Sequence, residues 1–352
     1  MTEANRLFSR FPPFIKDFIY RRGWVSLRDI QLAAAKVIFE TENNLLLTSS
    51  TASGKTEAAF FPILAELYEN LPSGIAVLYI APLKSLINDQ FSRMDELLSM
   101  SGVPVFHWHG DVSASHKARV LRDPSGILQI TPESLESMLI NRSNDIVRLF
   151  GNLRYVIIDE IHTLTGSDRG NQIICQLARI QRLIGHSPRR IGLSATIGDR
   201  ERAAAWLSGG SGRETDAPIQ SEQRMRWRLG LEHFYIQNPN AAQALPSDGE
   251  KSDAGRSQLD PGYEYLYDCV KDQKSLVFSN SREETEYVTA TLRQIAASRC
   301  EPDIFLIHHG NLSAALREEA ELKMKDNDIH AVTCATVTME LGIDIGRLER
   351  VA

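Results

Sequence analysis

Residues 44–59 read N-L-L-L-T-S-S-T-A-S-G-K-T-E-A-A: an apolar run, a Gly-Lys-Thr turn and then a helical stretch. The turn matches the phosphate-loop pattern G-x-x-x-x-G-K-[ST], with Ser49 in place of the first glycine. In this pattern glycine lets the backbone close around phosphates at a helix N-terminus. The residues predicted to bind nucleotide phosphates are Ser53, Gly54, Lys55 and Thr56. By itself, the stretch fits an ordinary helix start with an exposed lysine equally well.

The second informative stretch is V-I-I-D-E-I-H (156–162), in which two acids end an apolar strand. Asp159 is a candidate ligand for Mg²⁺, as is the Thr56 hydroxyl. Glu160 is a candidate catalytic base for the attacking water, with Lys55 holding the phosphate charge. Acidic strand ends are common, but this one follows a phosphate loop within one α/β domain. The pair of motifs therefore predicts a site for ATP and Mg²⁺.

Apolar strand-like runs alternate with helical stretches along most of the chain. The strand candidates are 45–48, 76–82, 103–110, 126–132, 154–160, 189–196, 274–280, 303–310 and 329–336. This alternation predicts an α/β fold with parallel sheets covered by helices. It breaks after about Leu207, where 228–237 allow one further strand and 238–262 are rich in Pro, Gly, Ser and charge. We therefore expect two α/β domains in tandem, the second incomplete at its C-terminus.

Composition limits the class of protein. The 352 residues are 43% hydrophobic and 24% charged, which is typical of a globular protein with room for two cores. No apolar run reaches the roughly 20 residues that a membrane-spanning helix needs. The net charge of -6 weakly disfavours nucleic-acid binding by bulk attraction, although backbone N–H groups and hydroxyls can also hold phosphates. The four cysteines are far apart, which favours free thiols in a reducing cytoplasm.

Around Asp159 the chain resembles the DEAD/DEAH-box helicases of superfamily 2, and its other motifs occur in that family's order. They are Gln31, A-P-L-K-S-L-I-N-D-Q (81–90), I-T-P-E-S-L (130–135), S-A-T (194–196), L-V-F-S-N-S-R (276–282) and T-V-T-M-E-L-G-I-D-I-G (336–346). The Lhr-like (large helicase-related) branch is the most similar. The segments that carry this similarity are H-G-D-V-S (109–113), G-S-D-R-G (166–170), G-L-S-A-T-I-G-D (192–199) and H-H-G-N-L-S (308–313). Each motif alone is weak evidence for the family, but the whole set in this order is hard to obtain by chance.

The resemblance implies two RecA-like domains in a cytoplasmic enzyme that uses ATP and Mg²⁺ to move along DNA or RNA, mainly single-stranded, with a role in DNA repair or RNA processing. The implied regions are an N-terminal extension (1–24), an ATP-binding domain (25–210), a linker (211–262) and a C-terminal helicase domain (263–352). The implied roles are adenine recognition for Gln31, ribose contact for Gly342 and Asp344, coupling for Ser194 and Thr196, and a catalytic link for His162. The implied nucleic-acid contacts are Pro82, Lys84, Thr131, Glu133, Asn280 and Thr336.

The family pattern continues into a segment, Q-x-x-G-R-x-G-R, that this sequence does not contain. The resemblance implies that its arginines stabilise charge on the γ-phosphate, so we expect a missing C-terminal segment or a partner chain to supply an arginine finger. A fragment truncated before that segment is the favoured interpretation. The alternative function is a nucleotide-gated clamp that binds nucleic acid without unwinding it. Metal binding by the histidines at 107, 109, 308 and 309 is disfavoured, since no Cys or His partner lies at zinc spacing.

Overall fold

The computed structural model describes residues 2–49, 54–82, 94–195, 197–218, 228–234, 260–326, 329–336 and 348–352. The chain divides into two compact units, Met1–Gln223 and Arg224–Ala352. The described helices of the first unit are α1 (Glu3–Ser9), α2 (Pro13–Arg21), α3 (Asp29–Glu40), α4 (Lys55–Glu69), α5 (94–101), α6 (Ala114–Arg122), α7 (Pro132–Asn141), α8 (Ile146–Phe150), α9 (Ile161–Leu164), α10 (Asp168–Ile184) and α11 (Arg200–Ser208). Its described strands are β1 (Asn44–Thr48), β2 (Gly74–Ile80), β3 (Val105–Trp108), β4 (Ser125–Ile130), β5 (Tyr155–Ile158), β6 (Arg189–Ser194) and β7 (Thr215–Asp216).

These strands form a parallel sheet in the order β3-β4-β2-β5-β6-β1-β7. Strands β1, β2, β5 and β6 are buried along their whole length, as expected for parallel strands covered on both faces. Each strand predicted in this unit from an apolar run overlaps an observed strand. The predicted α/β fold with a parallel sheet is therefore confirmed for this unit.

Parallel pairing brings the phosphate loop and the acidic motif to the same edge of the sheet. β1 pairs with β6 so that Thr48 lies beside Ser194, and β5 pairs with β6 so that Ile158 lies beside Gly192. A Cβ at position 192 would lie 2.2 Å from Cδ1 of Ile161, so a larger residue there would force the Ile161 side chain to move. The loop after β1 and the acids after β5 both leave the carboxyl end of the sheet, which is where open α/β sheets bind ligands.

The first residues of the chain pack against this unit through aromatic rings. The ring centroid of Phe11, between α1 and α2, lies 5.7 Å from that of Phe39 and 6.0 Å from that of Phe61. Arg6 adds a 2.5 Å ion pair with Glu40. Burial of a phenylalanine such as Phe11 contributes about 1.5–3 kcal/mol. These contacts join α1, α3 and α4, and α4 is the helix that follows the phosphate loop.

The second unit also contains a parallel sheet. Its described strands are β8 (Ser275–Phe278), β9 (Phe305–His308), β10 (Val332–Ala335) and β11 (Arg350–Val351), in the order β11-β8-β10-β9. Its described helices are α12 (Pro261–Val270), α13 (Arg282–Ser298) and α14 (Ala314–Lys325). Its core includes Tyr267, Leu292, Phe305 and Val332. The prediction of a second parallel-sheet domain is confirmed.

The further strand that the sequence allowed at 228–237 does not form in the described part, 228–234. Leu229 and Leu231 are 88% and 96% exposed there. An apolar alternation makes a stable strand only where other elements cover it, and neither leucine is covered. Among the described residues, no helix is long and apolar enough to cross a membrane.

Candidate active site

Gly54 closes the phosphate loop at the start of α4. Its φ of +82° lies in the left-handed region that glycine adopts readily and other residues do not. A Cβ at this position would lie 3.2 Å from Nε2 of Gln31 and 3.5 Å from Nη1 of Arg28. The Gln31 amide therefore lies directly beside the loop. Ser53, which was predicted with Gly54, lies outside the described residues.

Gln31 is a buried glutamine in the first turn of α3. Its Oε1 accepts a 3.0 Å hydrogen bond from the backbone N–H of Arg28, which caps the helix. Its Nε2 is buried and has no hydrogen-bond partner among the described residues. A buried donor left unpaired is unfavourable by about 1–3 kcal/mol, which a ligand acceptor can offset. This unpaired donor is the feature of Gln31 that suits nucleotide recognition.

Lys55 is a partly buried cation. Its Nζ donates a 2.7 Å hydrogen bond to the carbonyl of Ser49, on the other side of the loop. Burial lowers the pKa of Lys55, and the carboxylates of Glu160 and Asp159 oppose that effect. The next residue, Thr56, is buried. The lysine thus lies within electrostatic reach of the acidic pair, unlike the exposed lysine of an ordinary helix start.

Asp159 follows β5 and is 3% exposed. Its Oδ2 accepts a hydrogen bond from the Tyr79 hydroxyl, and its Oδ1 accepts a 2.9 Å hydrogen bond from the N–H of Glu160. Burial raises the pKa of Asp159, whereas these bonds and the charge of Lys55 lower it. Burial also raises the pKa of Tyr79 well above its ordinary value, so its hydroxyl stays protonated and donates. The carboxylate is therefore held in one orientation from two sides.

Glu160 combines backbone strain with a shifted pKa. Its φ of 51° is in the left-handed region, which is unfavourable by about 1–2 kcal/mol for a residue with a side chain. Its Oε2 lies 3.3 Å from Nδ1 of His162, and that nitrogen lies 3.3 Å from Oγ of Ser194. The pKa of Glu160 is raised to about 7, chiefly by burial and next by the charge of Asp159, against an opposing effect of Lys55. A carboxylate with a pKa near neutrality is well suited to accept a proton.

Replacing Glu160 with glutamine is expected to stabilise the folded protein at alkaline pH. The folded carboxyl keeps its proton up to about pH 7 and the unfolded one releases it near 4.5, so the free energy of unfolding falls as pH rises through this window. At about 1.36 kcal/mol per pKa unit, the loss reaches about 3 kcal/mol above pH 7. The variant has no such proton to lose. Calorimetry should show it melting above the wild type at about pH 8, with the difference vanishing near pH 4.5. A variant that melts below the wild type at the higher pH would contradict this.

The predicted nucleic-acid residues of the first unit lie at the same carboxyl edge of the sheet. Thr131 follows β4 and caps α7, where its side chain accepts a 3.4 Å hydrogen bond from the helix backbone. Glu133, in the first turn of α7, accepts two hydrogen bonds from Arg169, which also donates to the carbonyl of Pro82. These bonds bring together the segments that follow β2 and β4. Lys84 lies outside the described residues.

The predicted contacts of the second unit directly follow two neighbouring strands. After β8, the N–H of Asn280 donates to Oε2 of Glu284 at 2.9 Å. After β10, the N–H of Thr336 donates to the carbonyl of His308 at 3.3 Å. Because β8 and β10 are parallel, both residues lie at the carboxyl edge of this sheet. Like Ser53 and Lys84, the predicted residues Thr196, Gly342 and Asp344 lie outside the described part of the chain.

The adjacent histidines of the second unit each contact an acid. Nε2 of His308 lies 3.1 Å from Oε1 of Glu321, and Nε2 of His309 lies 3.1 Å from Oε1 of Glu286. Within the described ranges, no group of three or more His, Cys, Asp or Glu side chains is arranged to hold a metal ion.

Two residues contribute contacts that the sequence did not assign to them. Tyr79 holds Asp159, and Arg169 joins Glu133 to Pro82. The only signal for Tyr79 is a hydroxyl within an otherwise aliphatic strand. Arg169 belongs to the quoted segment G-S-D-R-G, but nothing in the segment identifies its partners.

A phosphate loop and a two-acid strand end at one edge of a parallel sheet form the arrangement of P-loop nucleotide hydrolases. Residues 28–204 match the DEAD/DEAH box helicase model, and residues 262–352 match the helicase conserved C-terminal domain. The chain belongs to the DEAD/DEAH box helicase family.

Similar proteins include members of the Lhr branch. The ATP-dependent helicase Lhr-Core of Methanothermobacter thermautotrophicus is 30% identical over 100% of this chain and 41% of its own length. The Lhr helicase/uracil glycosylase of Escherichia coli is 28% identical over 97% of this chain and 25% of its own length. The solved structure of Mycobacterium smegmatis helicase Lhr, bound to ssDNA and AMP-PNP, has a TM-score of 0.75 at 29% identity and covers 98% of this chain and 44% of that one. The chain thus spans less than half the length of these relatives. Both the Lhr-like resemblance and the tandem RecA-like fold are confirmed.

Proposed function

We propose that this chain is the motor region of a helicase that couples hydrolysis of ATP, with Mg²⁺, to movement along single-stranded DNA or RNA. The observation that carries the proposal is the set of Lys55, Asp159 and Glu160, in which the charge of Lys55 lowers the pKa of both carboxyls and both carboxylates raise that of Lys55. Ionisable groups perturbed in this way are concentrated at sites of chemistry. Family membership supports the same conclusion, since the Lhr-Core relatives are named ATP-dependent helicases.

The residues present fit ATP together with Mg²⁺. The Asp159 carboxylate and the Thr56 hydroxyl are both buried and are oxygen ligands of the type that Mg²⁺ prefers. One or two protein oxygens suffice for Mg²⁺ when substrate phosphates complete its coordination. When bound, Mg²⁺ would neutralise charge that develops on the phosphate oxygens. For the adenine, the unpaired Nε2 of Gln31 offers a donor beside Gly54.

In the proposed reaction, Lys55 holds the charge of the β- and γ-phosphates and Glu160 accepts a proton from the attacking water. The Tyr79 hydroxyl keeps Asp159 in one orientation. His162 contacts both Glu160 and Ser194, so it connects the end of β5 to the end of β6. We assign to this connection, with Thr196, the coupling between hydrolysis and strand movement.

The nucleic-acid strand is proposed to contact the carboxyl edge of each of the two sheets. In the first unit, α7 and α10 both begin there, and the N-termini of helices attract phosphates through backbone N–H groups and the helix dipole. The proposed contacts are Pro82, Lys84, Thr131, Glu133, Asn280 and Thr336. The Mycobacterium smegmatis Lhr structure contains ssDNA, which supports a single-stranded substrate.

We also propose the domain boundaries of the chain and its cellular compartment. We assign residues 1–24 to an N-terminal extension, 25–210 to the ATP-binding domain, 211–262 to a linker and 263–352 to the C-terminal helicase domain. The four cysteines are free thiols, which supports a reducing compartment and therefore the cytoplasm. A role in DNA repair rests on the family resemblance alone.

When the segment or partner chain that supplies the arginine finger is present, single-stranded DNA or RNA is expected to stimulate ATP hydrolysis, because the proposed strand contacts after β2 and β4 and the acidic pair after β5 lie at one edge of the sheet. Phosphate release should require Mg²⁺, and a partial duplex should lose its shorter strand only when ATP is present. A blunt duplex of the same sequence is the control, and it should stimulate hydrolysis less. Binding of ATP and strand without turnover would contradict the motor and indicate the nucleotide-gated clamp instead.

A further inference from the structure

Arg169 joins two segments at the carboxyl edge of the first unit's sheet. This edge, where the nucleic-acid strand is proposed to bind, is called the strand-binding edge. Its Nε donates to Oε1 of Glu133 at 2.7 Å, and its Nη2 donates to Oε2 of the same carboxylate at 3.0 Å. Nη2 also donates to the carbonyl of Pro82 at 2.5 Å. Paired N–H···O bonds of this type fix both the position and the plane of a guanidinium. One side chain therefore ties the segment after β2 to the first turn of α7.

The fixed guanidinium retains unused donors. Arginine has five N–H donors, and the two on Nη1 of Arg169 have no partner among the described residues. The side chain is 34% exposed, so a ligand can reach it. Because Glu133 and Pro82 already hold the side chain, little rotamer entropy remains to be lost when a phosphate binds.

Glu133 is by itself unsuited to contact a nucleic-acid backbone. Its side chain is 60% exposed, and its carboxylate would repel phosphates. The ion pair with Arg169 neutralises that charge and uses both carboxylate oxygens. Its position at the strand-binding edge is explained if Glu133 acts through Arg169.

We propose that Arg169 binds a phosphate of the nucleic-acid strand and that Glu133 is the residue that positions it. This inference rests on the proposed function, since it assigns a residue to strand binding. The ligand is the phosphodiester backbone, which single-stranded DNA and RNA share.

Arg169→Ala is expected to weaken binding of a fluorescein-labelled single strand about ten- to a hundredfold, the effect of losing charge-assisted hydrogen bonds. The slope of log affinity against log salt should become shallower by about 0.7, because one phosphate contact is lost. Fluorescence anisotropy at several salt concentrations measures both quantities. Oligodeoxythymidine and oligouridine of equal length should show the same loss, and a loss confined to one of them would overturn a backbone contact.

Arg179→Ala is the matched control. Arg179 forms a 2.5 Å ion pair with Glu136 between the same two helices, α10 and α7, but farther along both from their N-termini. The control therefore removes the same charge and the same type of helix contact away from the strand-binding edge. It should bind strands with wild-type affinity and salt slope, and thermal melting should show that both variants are folded.

Two further variants distinguish the positioning of Arg169 by Glu133 from the effect of charge alone. Glu133→Gln removes a negative charge, so charge alone would tighten strand binding, whereas loss of positioning should weaken it severalfold. Arg169→Lys keeps the charge but not the paired bonds, and it should keep the salt slope while losing affinity. Tighter binding by Glu133→Gln, or Arg169→Ala and Arg179→Ala variants that behave alike, would overturn the inference. A wild-type protein that binds neither single-stranded DNA nor single-stranded RNA would instead overturn the proposed function.

Discussion

Glu160→Gln is expected to slow ATP turnover by about 10²-fold or more while leaving the affinity for ATP near that of the wild type. Glutamine has nearly the same size as glutamate, but its amide oxygen is not basic enough to take a proton from water. The neighbours Lys55 and Asp159, which hold the phosphates and the metal in our proposal, are retained. Steady-state phosphate release and a separate titration with a non-hydrolysable ATP analogue measure the two quantities independently.

The control for this prediction is Glu66→Gln. Glu66 lies in α4 of the same unit, is partly buried and accepts a hydrogen bond from the Tyr155 hydroxyl. The substitution makes the same acid-to-amide change away from the site, and turnover should stay near the wild-type rate. If Glu160→Gln and Glu66→Gln turned over ATP equally fast, Glu160 could not be the base.

Lys55→Ala is expected to reduce ATP affinity by about 10²-fold, since a hydrogen bond to a charged group contributes about 1.5–3 kcal/mol and Lys55 is proposed to contact two phosphates. The variant also leaves Asp159 and Glu160 buried without their opposing charge, which raises the pKa of both carboxyls further. Hydrolysis should fall with binding. Isothermal titration calorimetry with a non-hydrolysable analogue gives the affinity directly.

A second lysine provides the comparison. Nζ of Lys16 also donates to a backbone carbonyl, that of Ser9, at 3.2 Å, but it lies on α2 and not at the phosphate loop. Lys16→Ala should bind ATP with wild-type affinity. Equal affinities for the two variants would remove Lys55 from the nucleotide site.

The phosphate loop and the acidic motif could be predicted because each is encoded within a few consecutive residues. The turn around Gly54 follows from a glycine between an apolar strand and a helix. The two acids that follow β5 share an edge with this loop because parallel strands all end on the same side of the sheet. The alternation of strands and helices was thus enough to expect that Lys55, Asp159 and Glu160 lie near one another.

The contacts that hold these residues could not be predicted, because they join positions far apart in the chain. Tyr79 lies 80 positions from Asp159, and in an apolar strand it is indistinguishable from an ordinary core residue. Arg169 has its partners at Glu133 and Pro82, and its local sequence resembles the start of any polar helix. Which strands are neighbours depends on packing of the whole sheet, which apolar runs do not encode.

The segment 228–237, which the sequence allowed as a further strand, shows that an apolar pattern alone can suggest a strand that does not form. Periodicity indicates which side chains of a strand would share a face, but not whether another element covers that face. Leu229 and Leu231 have no such cover, and their segment is not a strand. Conversely, β7 and β11 are two residues long, which is too short for any periodic signal to reveal them.

We propose that the phosphate loop and the Asp159–Glu160 pair form one site for ATP with Mg²⁺. The direct test is titration of the wild-type protein with a fluorescent ATP analogue, first with Mg²⁺ and then with a chelator in its place. We expect a single saturable site whose affinity falls about tenfold or more when Mg²⁺ is removed, because the buried carboxylate then faces the phosphates without a cation between them. Absence of saturable binding in the presence of Mg²⁺, or an affinity that does not depend on Mg²⁺, would contradict it.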